Sequence, residues 1–288
     1  MSGQILSVDA SLYHADDLGG ETPSLSASLA HTLLTYSPAH ARAQHPKLNP
    51  DFKDEYDAKF DLGTAVHAML LEGRDIVEPI EAENWRTKDA KAARDEARAN
   101  GKVPLLEGDY GDALEMVESA MLQIARFDAS PGLLLDGAAE QTLVWEEQGV
   151  LCRSRLDWLR DDFRAIDDLK TTRRSANPDG FSRVLFDMGY DMKAAFYLRG
   201  VKAITGVDAV FRWIVVEPKA PYALSVLTPG PDVLALADAK VDKAIRVWRD
   251  CLERNHWQGY PQQVCTVELP PWEEPRWMER EAREEAYA

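Results

Sequence analysis

Residues 149–176, GVLCRSRLDWLRDDFRAIDDLKTTRRSA, constrain the fold more than any other stretch. Val150, Cys152, Ser154, Leu156 and Trp158 fall on one side of an alternating run, and Leu151, Arg153, Arg155, Asp157 and Leu159 on the other. A period of two marks a strand. A polar turn over 160–163 and a second short strand over 165–170 complete a hairpin, which leads into the basic loop 171–174. Asp168 and Lys170, two residues apart, share a face, and Asp157 can join them across the hairpin. Two carboxylates and a lysine at strand ends suit metal-assisted phosphodiester hydrolysis: the acids hold Mg²⁺, and the ammonium steadies an attacking hydroxide or the phosphate charge. The same spacing also suits a solvated face with weak cross-strand ion pairs, so the wider pattern has to decide.

Helical repeats flank the hairpin. Residues 1–23 are polar and glycine-rich and are expected to form an irregular arm. Leu25, Leu29, Leu33 and Tyr36 recur at helical spacing behind a Ser24 or Ser26 cap, and Pro38 ends that helix while opening the next behind Ser37. Leu62, Ala65, Val66, Met69 and Leu70 form an apolar stripe with His67 at its margin. Residues 87–100 make a charged, alanine-rich surface helix. Tyr110, Leu114, Val117, Met121 and Ile124 mark a long core-facing helix that Pro131 and Gly132 end. Residues 140–145 read as a strand before the hairpin. After it come helices near 181–188 and 190–201, strands over 210–216 and 222–227, and a helix carrying Leu234, Ala237, Val241, Ile245, Trp248 and Leu252. The predicted class is α/β (α+β), a central mixed β-sheet flanked by helices with a helical N-terminal part. One domain over 24–272 and a polar tail over 273–288 are expected.

Composition sets the outer limits. A chain of 288 residues with 45% hydrophobic content can bury a sizeable core. No run approaches a membrane helix and no signal-peptide order opens the chain, so a cytoplasmic protein with no membrane partner is expected. Cys152, Cys251 and Cys265 are scattered, which suggests neither disulfides nor zinc and falls short of the four thiolates an iron–sulfur cluster usually takes. The net charge of −16 opposes nucleic-acid binding unless basic groups cluster locally. They do so in sequence: Arg153, Arg155, Lys170, Arg173, Arg174, Arg183, Lys193 and Arg199 share one window of about fifty residues around the hairpin. No GxxxxGK[ST] stretch is present, so ATP use is not expected.

Further motifs join the hairpin. They are SPAH at 37–40, GTAVHAMLLEG at 63–73, the segment 140–170 with Arg-x-Arg-x-Asp before Asp-Leu-Lys and Thr-Thr after it, GYDMKAAFY at 189–197, and LPPW at 269–272. Together they resemble the PD-(D/E)xK nuclease superfamily over nearly the whole chain. The nearest likeness is to the C-terminal nuclease domain of exodeoxyribonuclease VIII (RecE) and its phage relatives, with lambda exonuclease more distant. The resemblance implies a restriction-endonuclease-like core and two Mg²⁺ ions, with Mn²⁺ as a substitute. Asp157 would bridge the ions, Asp168 and the Leu169 carbonyl would hold one, Glu140 would hold the other with His67 close by, and Lys170 would orient the hydroxide. It also implies a glutamine and a tyrosine near the scissile phosphate. Tyr197 is present, but Lys193 stands where the glutamine is usual. Arg153, Arg155, Arg173, Arg174, Lys193 and Tyr197 are therefore candidate DNA contacts.

The expected activity is ATP-independent 5′-to-3′ digestion of linear double-stranded DNA from its ends, leaving 3′ single strands. By resemblance, a homo-oligomeric ring, trimer or tetramer, and a single-strand annealing protein as recombination partner are expected. A nuclease for single-stranded or flap DNA, and a non-cleaving DNA-binding protein of the same fold, stay open as alternatives.

Overall fold

The predicted hairpin lies in the middle of a seven-stranded mixed sheet. The computed structural model describes residues 3–52, 61–130, 132–172 and 174–286. In chain order, β1 (Gln4–Leu6), α1 (Ala10–His14), β2 (Leu25–Ser26), α2 (Ala27–Thr35) and α3 (Pro38–Ala43) come first. Next are α4 (Asp61–Leu71), β3 (Val77–Ile80), α5 (Lys88–Ala99), β4 (Val103–Leu106) and α6 (Glu107–Ile124). The central strands β5 (Gly137–Glu147), β6 (Val150–Arg160) and β7 (Ala165–Thr171) follow, then α7 (Pro178–Asp187), α8 (Tyr190–Thr205), β8 (Val210–Val216), β9 (Leu224–Leu227) and α9 (Pro231–Arg254). The sheet runs β1-β5-β6-β7-β8-β9, with β2 added in parallel to β6. β7 and β8 are parallel, and the remaining pairs along this path are antiparallel.

Alternation in β8 divides the core in two. Phe211, Trp213 and Val215 face α2, α8 and α9, where Trp145, Phe196 and Trp248 are fully buried. Ile214 and Val216 face α4 and α6 together with Leu169 of β7. Each large side chain removed from water on either face contributes about 2–3 kcal/mol, which fixes both helical layers on the sheet.

Three expectations change. The N-terminal residues do not form an irregular arm: Gln4, Ile5 and Leu6 pair with Val144, Leu143 and Thr142 and extend the sheet, because β5 would otherwise leave an unpaired edge. In α6 the buried stripe is Ala113, Met116, Val117 and Ala120, while Met121 is exposed; the two alanines let α6 lie close against α4. That helix ends at Ile124, well before Gly132, and Pro131 lies outside the described residues. The compact unit closes at Gln258, whereas residues 259–288 form a second unit carrying the largely exposed helix α10 (Glu273–Ala286). No helix among the described residues is long and apolar enough to cross a membrane.

Candidate active site

The pairing of β6 with β7 is short. Trp158 faces Asp167 and Leu159 faces Ile166, and no further residues of the two strands are in register. Beyond that point the Asp157 carboxylate spans the gap, its Oδ2 accepting the Leu169 N–H at 2.8 Å. A backbone donor that would otherwise be buried without a partner thus holds Asp157 in one orientation. The adjacent aspartates of β7 then divide by parity. Asp167 turns to Arg212, Nε donating to Oδ1 at 2.6 Å, and accepts the Leu134 N–H at 2.8 Å. Asp168, fully buried, turns with Lys170 to the other face.

Asp168 is engaged on both oxygens. Oδ2 meets the Lys170 ammonium, and Oδ1 lies 2.8 Å from Lys193 Nζ. Lys170 Nζ also donates to the Leu169 carbonyl at 3.1 Å and lies 3.9 Å from Asp157. Burial by itself would raise the Asp168 pKa, but the two ammonium groups outweigh it and keep the carboxylate ionised below its usual range. Burial moves Lys170 the other way, below the ordinary lysine value, against Asp168 and with help from the Lys193 charge. For Lys193 burial loses to Asp168, and its pKa stands well above the usual value.

Beside this ion-paired trio, His67, Glu140 and Asp157 bring three ligand atoms within 4.8 Å of one another. His67 comes from α4, which lies directly on the end of β7: a Cβ at Gly63 would stand 2.9 Å from Thr171 Oγ1, so glycine permits the approach. Glu140 lies inside β5 with φ at +55°, in register opposite Asp157 between the pairs Ala139–Trp158 and Gln141–Leu156. A left-handed glutamate inside a strand costs about 1–3 kcal/mol, the kind of strain that gathers at functional sites. Its Oε2 accepts from Arg155 Nε at 2.5 Å, which leaves Oε1 toward His67 Nε2 at 3.1 Å. Burial, and then the Asp157 charge, raise the Glu140 pKa against Arg155 and His67.

These spacings fit an octahedral divalent ion. Ligands at about 2.1 Å lie about 3 Å apart when adjacent and about 4 Å apart when opposite; His67 Nε2 is 3.1 Å from Glu140 Oε1 and 3.9 Å from Asp157 Oδ2. Two carboxylates suit Mg²⁺ or Mn²⁺, and the imidazole tilts the set toward transition metals. A cavity of about 890 Å³ opens over His67, Glu140, Arg155, Leu169, Lys170 and Lys193. Val8 and Asp9 line it too, and Arg155 donates to the Val8 carbonyl at 2.8 Å, so the N-terminal segment supplies one wall.

The basic window predicted from sequence does not assemble as one channel. Arg153 is buried against Asp16, Nη1 at 3.1 Å from Oδ1, and donates to the Ser24 carbonyl at 2.8 Å. Arg199 is bound by Glu147 and by Asp242, the latter at 2.7 Å. Each is neutralised by acids that lie far away in sequence. Arg174 lines a separate cavity with Glu217, and Arg173 lies outside the described residues. Tyr197 is buried beneath Lys193, whose Nζ stands 5.1 Å from its ring centre. Sequence reasoning missed Tyr190, which lines the cavity with its ring 5.3 Å from Lys170 Nζ; its place four residues before Ala194 on a core helix signalled only packing.

A mixed sheet with an acid-acid-lysine set on its diverging strands, opening into a cavity beneath one helix, defines the PDDEXK-like class. Residues 26–268 match the family model described as a PDDEXK-like domain of unknown function (DUF3799), and the chain belongs to that family. Among solved structures, a candidate exonuclease from Eubacterium rectale superposes with a TM-score of 0.56 at 15% identity, over 92% of this chain and 97% of that one; the likeness is one of fold. A second, SSO0001, reaches a TM-score of 0.29 at 12% identity over 76% of this chain, too low to carry weight. No curated protein matches the sequence.

Proposed function

We propose that the protein is a divalent-metal-dependent deoxyribonuclease that digests linear double-stranded DNA from its ends, 5′ to 3′, leaving 3′ single strands for recombination. The observation that carries this reading is the three-donor set His67, Glu140 and Asp157 beside the buried Asp168–Lys170 pair, at one cavity. An ion held there would offset phosphate charge and make a bound water acidic enough to ionise near neutral pH. The protein's own groups do the positioning. Leu169 N–H fixes Asp157, Arg155 fixes Glu140 through Oε2, and Asp168 holds the Lys170 ammonium toward the Leu169 carbonyl, where it can steady a hydroxide or phosphate oxygen. End-specific attack, polarity, ring assembly and an annealing-protein partner follow the likeness to the RecE-type nucleases described from sequence.

The test is digestion of end-labelled linear duplex and covalently closed circle, side by side, with Mg²⁺, with Mn²⁺ and with chelator. Loss of the linear duplex alone, and only with metal, is expected. Equal digestion in chelator would end the metal-dependent reading, and brisk cutting of closed circles would end the exonuclease reading.

A further inference from the structure

We infer that Lys193 is a built-in cation that restricts this site to one divalent ion, held by His67, Glu140 and Asp157. This rests on the nuclease reading above and narrows it. A two-ion site would need Asp168 to give an oxygen to the second ion. Both of its oxygens already face ammonium groups, Oδ1 at 2.8 Å from Lys193 Nζ and Oδ2 against Lys170, and the residue is fully buried. An incoming ion would have to displace one lysine, and Lys193 is held at Asp168 by the seating of its helix. It is carried on α8, whose first turn is pressed onto α2: a Cβ at Gly189 would stand 2.3 Å from the His31 ring, at φ +66°. Asp191, in the first turn of α8, is tied to Lys240 of α9 at 2.6 Å. The Lys193 ammonium also lies over the Tyr197 ring, a contact that a swing toward solvent would give up.

Charge balance points the same way. Glu140, Asp157 and Asp168 are three carboxylates; Arg155, Lys170 and Lys193 are three cations within contact of them. The set is formally neutral with His67 uncharged. One divalent ion makes this set net positive, which suits a phosphodiester; a second at Asp168 would sit beside the two ammonium groups that already flank it. The three-donor set, in contrast, has one oxygen of Glu140 and His67 Nε2 turned to each other and leaves further coordination positions for water and substrate. A glutamine in place of Lys193 would release Asp168 Oδ1 and restore room for a second ion.

The experiment counts bound Mn²⁺ on the full chain by calorimetry and electron paramagnetic resonance, alone and with a duplex whose terminal linkages are non-hydrolysable phosphorothioates. About one Mn²⁺ per chain is expected for the wild type and about two for Lys193→Gln or Lys193→Met, the second producing a spin-coupled signal because paired ions lie about 3.5–4 Å apart. Two ions in the wild type would overturn the inference and leave the nuclease reading standing. One ion in both folded variants would also overturn it. No ion in the wild type, with or without the duplex, would overturn the inference and the metal-dependent reading together. The wild-type count needs no variant, so it decides even if both substitutions prevent folding.

Discussion

Strand β6 presents Arg153 and Asp157 on one face, four residues apart, and the two ends of that face behave in opposite ways. At the Arg153 end every charge is met. Asp16 Oδ1 faces Arg153 at 3.1 Å and the Ser24 hydroxyl, while Oδ2 accepts the Ser24 N–H at 3.0 Å and lies 3.4 Å from both His45 and Lys47. Burial would raise the Asp16 pKa, but His45, Arg153 and Ser24 outweigh it and hold it at about 2. At the Asp157 end two acids and an imidazole converge, and Glu140 is pushed up because burial and a second carboxylate act on it together. Similar residue types thus make a sealed structural joint in one place and a site open to a cavity in the other. What separates them is the N-terminal segment, which covers Arg153 and leaves Asp157 beside the cavity.

The largest expected effect breaks the open end alone. Lys170→Met should lower the cleavage rate of the folded protein at least about 10²–10³-fold, Lys193 remaining against Asp168, as measured by single-turnover digestion normalised to the folded fraction from calorimetry. A folded Lys170→Met protein that cuts at the wild-type rate would remove the lysine from the chemistry. Arg153→Met should do the reverse. It leaves Asp16 buried without its guanidinium partner, which costs about 3–5 kcal/mol, seen in denaturant unfolding, while cleavage per folded molecule persists. Selective loss of DNA binding without loss of stability would instead return Arg153 to the DNA surface.

These two residues also show what the sequence could and could not reveal. The period of two put Asp168 and Lys170 on one face and Asp157 opposite, and all three meet as the alternation requires. The same alternation put Arg153 on the face of Asp157, yet said nothing of what covers each position. Arg153 looked like a DNA contact because its partner, Asp16, lies in a segment with no periodic signal. His67 came from resemblance, since a histidine beside an apolar stripe is silent about its partners. The left-handed backbone of Glu140 has no sequence signature, because glutamate is not the residue that ordinarily marks positive φ.

Acid sensitivity sharpens the contrast further. A carboxylate whose folded pKa is depressed stabilises the protein above its unfolded value and loses that contribution as pH falls through the folded value. For Asp16 the window runs from about 4 down to about 2, and the contribution is about 2 kcal/mol. Unfolding measured at stepped pH should show Asp16→Asn less stable than wild type at neutral pH and the difference closing below pH about 3; a constant difference would contradict the assignment. Lys47→Ala should have the smallest effect, about 0.5–1 kcal/mol, because its ammonium is partly exposed and Arg153 and Ser24 keep Asp16 satisfied.

The contrast between the two ends of β6 is tested most directly by anomalous diffraction from crystals of the full chain grown with Mn²⁺. The expected result is a peak within about 2.0–2.3 Å of His67 Nε2, Glu140 Oε1 and an Asp157 oxygen, with none beside Asp16. A map with no peak at these three donors, or with Mn²⁺ at Asp16 instead, would contradict it.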